Sequence, residues 1–199
     1  MNIIETNFKW NGDLSTRSST KYIVLHHRVG NGDVQSIHNT HINNGWTGIG
    51  YNFYIRKDGS IYRGRPIDKS GAHATGYNSI SVGICFEGNY DSTDKVMPSA
   101  QFKAGQDLIA YLKNMYPTAT VVKHADLNYT ACPGRYFPFD EIIQPPKQII
   151  TSANDITWAL NHSFFPITDA KKFVKELDEA KNNNSSLYWG YYKLVNGVK

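Results

Sequence analysis

Imidazole and thiol groups are the side chains of this sequence best suited to chemistry, and they gather in a few places. His26 and His27 close the run YIVLHH, His124 opens HADLNYTACPG, and Cys132 stands eight residues beyond it. Neutral imidazole and thiolate are the donors that borderline-soft zinc prefers, and a catalytic zinc keeps three protein ligands with one position open to water. Residue types alone leave two readings open. One is a zinc site built from the histidine pair, His124 and Cys132. The other is a thiol hydrolase in which His124 activates Cys132 and no metal is needed.

Those groups need elements to position them. Tyr22–His27 is a short apolar, β-branched run, which reads as a buried strand delivering histidines at its end. Asp33 can cap a helix over Val34–Ile42 that puts Val34, Ile37 and His41 on one face, and Asn43-Asn44-Gly45 stops it. In YNFYIRKDGSIYRGR two alternating runs flank Asp58-Gly59, the pattern of a β-hairpin whose turn uses the positive φ that glycine permits. Strict alternation there predicts Tyr51, Phe53 and Ile55 on one face, with Asn52, Tyr54 and Arg56 on the other.

Ser79–Phe86 reads as a second buried strand. Pro98-Ser99 opens an amphipathic helix to Tyr116, with Phe102, Ile109, Leu112 and Tyr116 along one stripe. Pro117 ends it, and Ala119–His124 is again a strand finishing in a histidine. Strands interleaved with helices predict an α/β domain, a central mixed sheet flanked by helices.

The texture changes after residue 143. Gln144-Pro145-Pro146-Lys147 reads as a linker, so the chain divides into a domain over 1–143 and a small α+β module over 148–199. Ser152–His162 and Asp169–Lys181 are helical in pattern, and LYWGYYKLVNG is a dense aromatic strand pair. A module of this size has a marginal core, so it is expected to pack on the first domain or pair with a second copy. Tyr188, Trp189, Tyr191 and Tyr192 suit stacking on sugar faces and equally suit a small core.

The 199 residues carry 19% charged and 40% hydrophobic side chains, a globular balance. A net charge of +4 suits approach to an anionic polymer, nucleic acid or bacterial wall, without choosing between them. No Lys/Arg cluster interleaved with aromatics occurs in the first domain, which ranks nucleic acid last. No run approaches the length of a membrane-spanning helix, and MNIIETNFKW lacks the basic start and apolar core of an export signal. The expectation is a protein made in the cytoplasm that does not insert in a membrane. Two cysteines are too few for a disulfide scaffold.

Four ordered motifs, YIVLHH, GWTGIGYNFYIRKDGSIYRGR, GAHATGYNSISVGICFEG and HADLNYTACPG, carry a resemblance over Tyr22 to Phe139. Together they resemble the type-2 N-acetylmuramoyl-L-alanine amidases, a family that includes phage lysozyme-type amidases and animal peptidoglycan-recognition proteins. The resemblance implies a mixed sheet with flanking helices around a zinc cleft, with His26, His124 and Cys132 holding the Zn²⁺. It implies that Tyr51 assists catalysis, that Thr130 stands where some relatives carry lysine, and that His41, His73 and Asn78 contact the muramyl-peptide. The implied reaction is hydrolysis of the amide between N-acetylmuramic acid and L-alanine in peptidoglycan, and the implied setting is a phage or prophage endolysin that reaches the wall after release. A module that binds peptidoglycan without cutting it is the competing class.

Several neighbours read as structural. His27 follows His26 in a strand and so points to the opposite face. His38 is i−3 from His41 and reads as a bystander, and Cys85 sits mid-strand as a small hydrophobe. Glu87 remains a minor candidate for a general base.

Overall fold

The computed structural model describes residues 1–144. These fall within the first of the two units into which the chain divides, Met1–Pro145 and Pro146–Lys199. The expectations for a module over 148–199, and for most of the linker over 144–147, lie outside the described residues.

In chain order the elements are β1 (Ile3–Ile4), β2 (Tyr22–His27), α1 (Val34–Asn43), β3 (Phe53–Ile55), β4 (Ile61–Arg63), β5 (Ser81–Phe86), α2 (Ser99–Met115), β6 (Thr120–Lys123) and α3 (Phe139–Ile142). The strands form one six-stranded sheet in the order β1-β4-β3-β5-β2-β6. Only β3 and β4 pair antiparallel; the other neighbours run parallel. Central parallel strands are covered on both faces and so read as unbroken apolar runs. YIVLHH and SVGICF, buried along nearly their whole length, occupy those central places.

The two faces carry different cores. Ile23, Leu25, Phe53, Ile55, Val82, Ile84 and Phe86 face α2 and α3, meeting Leu108, Ile109, Leu112 and Ile142. On the other face Tyr54 and Cys85 meet Val34 and Ile37 of α1, with Phe8 and Trp10 of the N-terminal segment against them. The α2 stripe is therefore centred on Ala104, Gly105, Leu108 and Leu112, with Phe102 and Tyr116 at its margin. The helix also buries Gln101, whose Nε2 donates to the carbonyls of Ile55 (3.0 Å) and Glu87 (2.9 Å) while its Oε1 accepts from the Tyr90 hydroxyl.

Most local expectations are met. Asp33 caps α1 by accepting from the Ser36 amide at 2.7 Å. Gly59 takes φ 88° in the β3–β4 turn, where Asp58 accepts from the Ser60 amide at 2.9 Å. Three expectations are corrected. Residues 78–80 form a short 3-10 turn, so β5 starts at Ser81; β6 likewise stops at Lys123, and His124 opens a 3-10 turn over His124–Asp126. Tyr51 does not share a face with Phe53 and Ile55: it packs with Tyr54 and Cys85. The alternation breaks at Asn52, whose side chain is tied to the Gly83 amide (3.0 Å) and the carbonyls of Pro66 (3.2 Å) and Lys69 (3.3 Å).

Candidate metal centre and cleft

Strand register brings the remote histidines together. β2 and β6 pair with Leu25 opposite Lys123, so one step on, past the end of β6, His26 stands beside His124. Their ring centroids are 4.4 Å apart. The chain then returns through the loop after Asp126, where the Ala125 amide donates to the Cys132 carbonyl at 2.9 Å. Cys132 Sγ comes to 3.7 Å from His26 Nδ1. Ligand atoms of His26, His124 and Cys132 all lie within 4.8 Å of one another.

This donor set fits a tetrahedral divalent ion. Zn–S of about 2.3 Å and Zn–N of about 2.1 Å at a tetrahedral angle separate sulfur from nitrogen by about 3.6 Å. The second ring nitrogens are occupied, His26 Nε2 by His73 Nδ1 at 3.0 Å and His124 Nε2 by Asn128 Oδ1 at 3.2 Å. Each imidazole thus keeps its Nδ1 for a metal. Burial holds His26 well below the usual histidine range, with His73 and His124 adding to it, and burial also lowers His124. Both are therefore neutral at pH 7, the form in which an imidazole could hold a metal.

Burial pushes the Cys132 thiol up to about 11, opposed by the His27 amide, which donates to Sγ at 3.4 Å. A catalytic Cys–His pair works through a depressed thiol and an imidazole that readily takes the proton. Here both shifts run the other way, so this sulfur needs a cation beside it to ionise. Neither shift favours the thiol-hydrolase reading.

The trio opens onto a cleft of about 400 Å³ that Tyr51, Thr130 and Val29 also line. The Tyr51 ring lies 5.1 Å from that of His26, and burial, then Cys85 and Cys132, hold its phenol well above the usual range. Tyr51 is thus a proton donor throughout neutral pH. Thr130 is exposed, and its hydroxyl accepts from the Cys132 amide at 3.2 Å. Val29 is 63% exposed and takes φ 63°, a left-handed conformation rare for a β-branched residue. Hydrogen bonds donated by the Val29 and Gly30 amides to the Gly88 carbonyl hold it there.

The remaining sequence candidates sit around this centre. His41 lies tilted against Trp46, ring centroids 4.5 Å apart, and 5.8 Å from Tyr51, and its Nδ1 accepts from the Gly50 amide at 2.9 Å. His73 is 8% exposed against His26, and Asn78 Oδ1 accepts from the amides of His73 (2.8 Å) and Ala74 (2.9 Å). The hydrogen bonds of His26 to His73 and of His124 to Asn128 had no reading in the sequence.

The bystanders divide as expected. His27 points to the other face, where its Nδ1 accepts from the Tyr90 amide at 3.0 Å. His38 is buried, stacks on Phe8 and bonds the Lys9 carbonyl and the Ile49 amide. Glu87 is buried and committed: it accepts from the amides of Gly32 (2.8 Å) and Lys57 (2.9 Å) and pairs with Arg56.

A mixed sheet whose adjacent parallel strands bring two imidazoles to one thiol, beside an open cleft, defines an α/β domain with a donor set that could hold a metal ion. The chain belongs to the N-acetylmuramoyl-L-alanine amidase family, whose model matches residues 16–135. It is 43% identical to the N-acetylmuramoyl-L-alanine amidase LysC from Clostridium intestinale URNW, with a TM-score of 0.68 over 71% of this chain and 95% of that one. It is 39% identical to the endolysin of Enterobacteria phage K11, over 50% of this chain and 68% of the phage protein. Peptidoglycan-recognition protein SC2 of Drosophila melanogaster is 35% identical over 63% of this chain and 77% of that protein. The enzyme class follows from the family: an amidase acting on peptidoglycan.

Proposed function

We propose that the chain is a zinc-dependent hydrolase of the amide between N-acetylmuramic acid and L-alanine, and that it acts as a lytic enzyme on bacterial wall. The observation that carries this is the convergence of His26, His124 and Cys132 within 4.8 Å, with both imidazoles neutral. Zinc there would supply Lewis acidity, polarising the scissile carbonyl and lowering the pKa of water toward about 7.

The protein's own groups do the rest. The His27 amide, donating to Cys132 Sγ, favours the charged sulfur that a cation requires. Tyr51, protonated and lining the cleft, donates a hydrogen bond to the oxygen that gains charge as the amide is attacked. Thr130 carries no charge, so it orients and does not attract. His41, beside Trp46 and Tyr51, contacts the muramyl-peptide, while His73, buried against His26, and Asn78, which holds the His73 amide, act from behind the site.

Digestion of purified peptidoglycan tests the reading. Mass analysis is expected to find intact glycan strands and stem peptides with a free L-alanine amino terminus. Chelator should stop release and Zn²⁺ restore it, and Cys132→Ser should lose bound zinc and activity together. Digestion by Cys132→Ser at the wild-type rate would refute the ligand assignment.

The proposal extends to chain organisation: a catalytic domain over 1–143, a linker over 144–147, and a wall-binding module over 148–199. The order of the two units along the chain supports that last assignment, and Tyr188, Trp189, Tyr191 and Tyr192 are compatible with it. Removing residues 148–199 should weaken co-sedimentation with cell walls.

A further inference from the structure

His26 is the most enclosed of the three donors, 1% exposed, and its far nitrogen meets another imidazole, not a carboxylate or carbonyl. Two facing imidazoles are ambiguous, because either can donate and either can accept. Something further along must decide which nitrogen of His26 keeps a free lone pair.

The hydrogen bonds beyond His73 supply it. His73 Nε2 lies 3.4 Å from Ser81 Oγ, and Ser81 Oγ lies 2.7 Å from the carbonyl oxygen of Tyr77. A carbonyl only accepts, so the Ser81 hydroxyl spends its single proton there. Its oxygen is then an acceptor toward His73, which places the His73 proton on Nε2. A neutral imidazole carries one N–H, so His73 Nδ1 accepts, and the proton of His26 lies on Nε2. What remains on His26 is the bare Nδ1, 3.7 Å from Cys132 Sγ.

We infer that His73 and Ser81 are positioning residues that fix the tautomer and ring angle of the metal ligand His26, with the Tyr77 carbonyl setting the polarity of the chain. The inference rests on the zinc reading above and adds a cause for it. Second partners of ligating imidazoles hold the ring and raise its basicity, and their loss typically costs about 10–100-fold in metal affinity.

The surroundings are built for this ring. Ser81 is fully buried, so no water can replace it. A Cβ on Gly83 would stand 2.6 Å from His73 Cδ2, and one on Gly71 only 2.2 Å away. These two glycines leave the space the imidazole fills. Asn78 holds the loop by accepting from the amides of both His73 and Ala74. In this arrangement His73 and Asn78 serve the reaction through His26.

The full chain tests this by zinc competition with a chromogenic chelator, beside circular dichroism as a check of folding. His73→Leu removes the acceptor and should raise the zinc dissociation constant by about 10–100-fold. His73→Asn, whose side-chain oxygen can stand where Nδ1 stood, should recover most of that loss. Nitrogen-15 NMR of the wild-type histidines should find His26 and His73 both protonated on Nε2.

Zinc binding by His73→Leu as tight as wild type would overturn the inference while leaving the metal site intact. Equal weakening in the Leu and Asn variants would reduce His73 to packing and also overturn it. A wild-type His73 protonated on Nδ1 would do so even if neither variant folds. Wild-type protein that takes up no zinc would remove the metal reading itself, and this one with it.

Discussion

At the scale of single residues, the chemistry rests on groups whose surroundings change what they can do. Cys132 in water is an ordinary thiol; enclosed here, its proton is held up to about 11, and only a neighbouring cation would make it a thiolate. Tyr51 is a donor because burial keeps its proton on. Tyr51→Phe is therefore expected to keep zinc but lose about 10²–10³ in turnover, read as kcat on soluble muramyl-peptide with metal content measured beside it. Wild-type turnover in that variant would remove Tyr51 from the reaction. The identities of the three ligands were legible only through a resemblance carried by several motifs at once. Separations of roughly a hundred residues between His26 and the other two carry no local signal. The Tyr51 face was misread because alternation assumes a straight strand, and Asn52 bends it.

At the scale of elements, legibility followed periodicity. YIVLHH and SVGICF announce buried parallel strands, and α1 announces itself through Asp33. The two-residue β1 and the single turn of α3 are too short to hold a pattern; tertiary pairing makes them. Asp33→Ala should cost about 1 kcal/mol of stability, seen as a lower urea midpoint at unchanged slope. Gln101 was hidden for another reason, since a polar residue on the apolar stripe of α2 looks like an error until its partners are seen. Its side chain joins α2 to carbonyls on β3 and at the end of β5 and to Tyr90. Gln101→Leu leaves buried polar groups without partners and should cost about 1–3 kcal/mol, measured by the same titration.

At the scale of the whole molecule, buried histidines tie folding to pH. Burial, with Arg65 adding to it, lowers His41 to about 4, and burial with His124 lowers His73 to about 3. In the unfolded chain both return to about 6.5. Above that value neither state binds the proton and stability is full. As pH falls from 6.5 toward 4 and then 3, the unfolded state takes up protons the native state refuses, and stability drops. Metal-free protein should show a lower urea midpoint at pH 5 than at pH 7; equal midpoints would mean the rings are hydrated in the native state. Among the described residues no helix is long and apolar enough to cross a membrane. Val29, finally, bears on durability. A left-handed L-residue costs about 1–2 kcal/mol against a relaxed backbone, a load the domain carries at the rim of its working surface. Glycine there would lift that load and raise the melting temperature without disturbing the sheet, while removing an apolar side chain from the cleft where, under the proposed function, a glycopeptide would enter. Heat resistance and grip on the wall polymer are thus set against each other at one side chain, and thermal melts beside wall-digestion rates of Val29→Gly would measure the exchange.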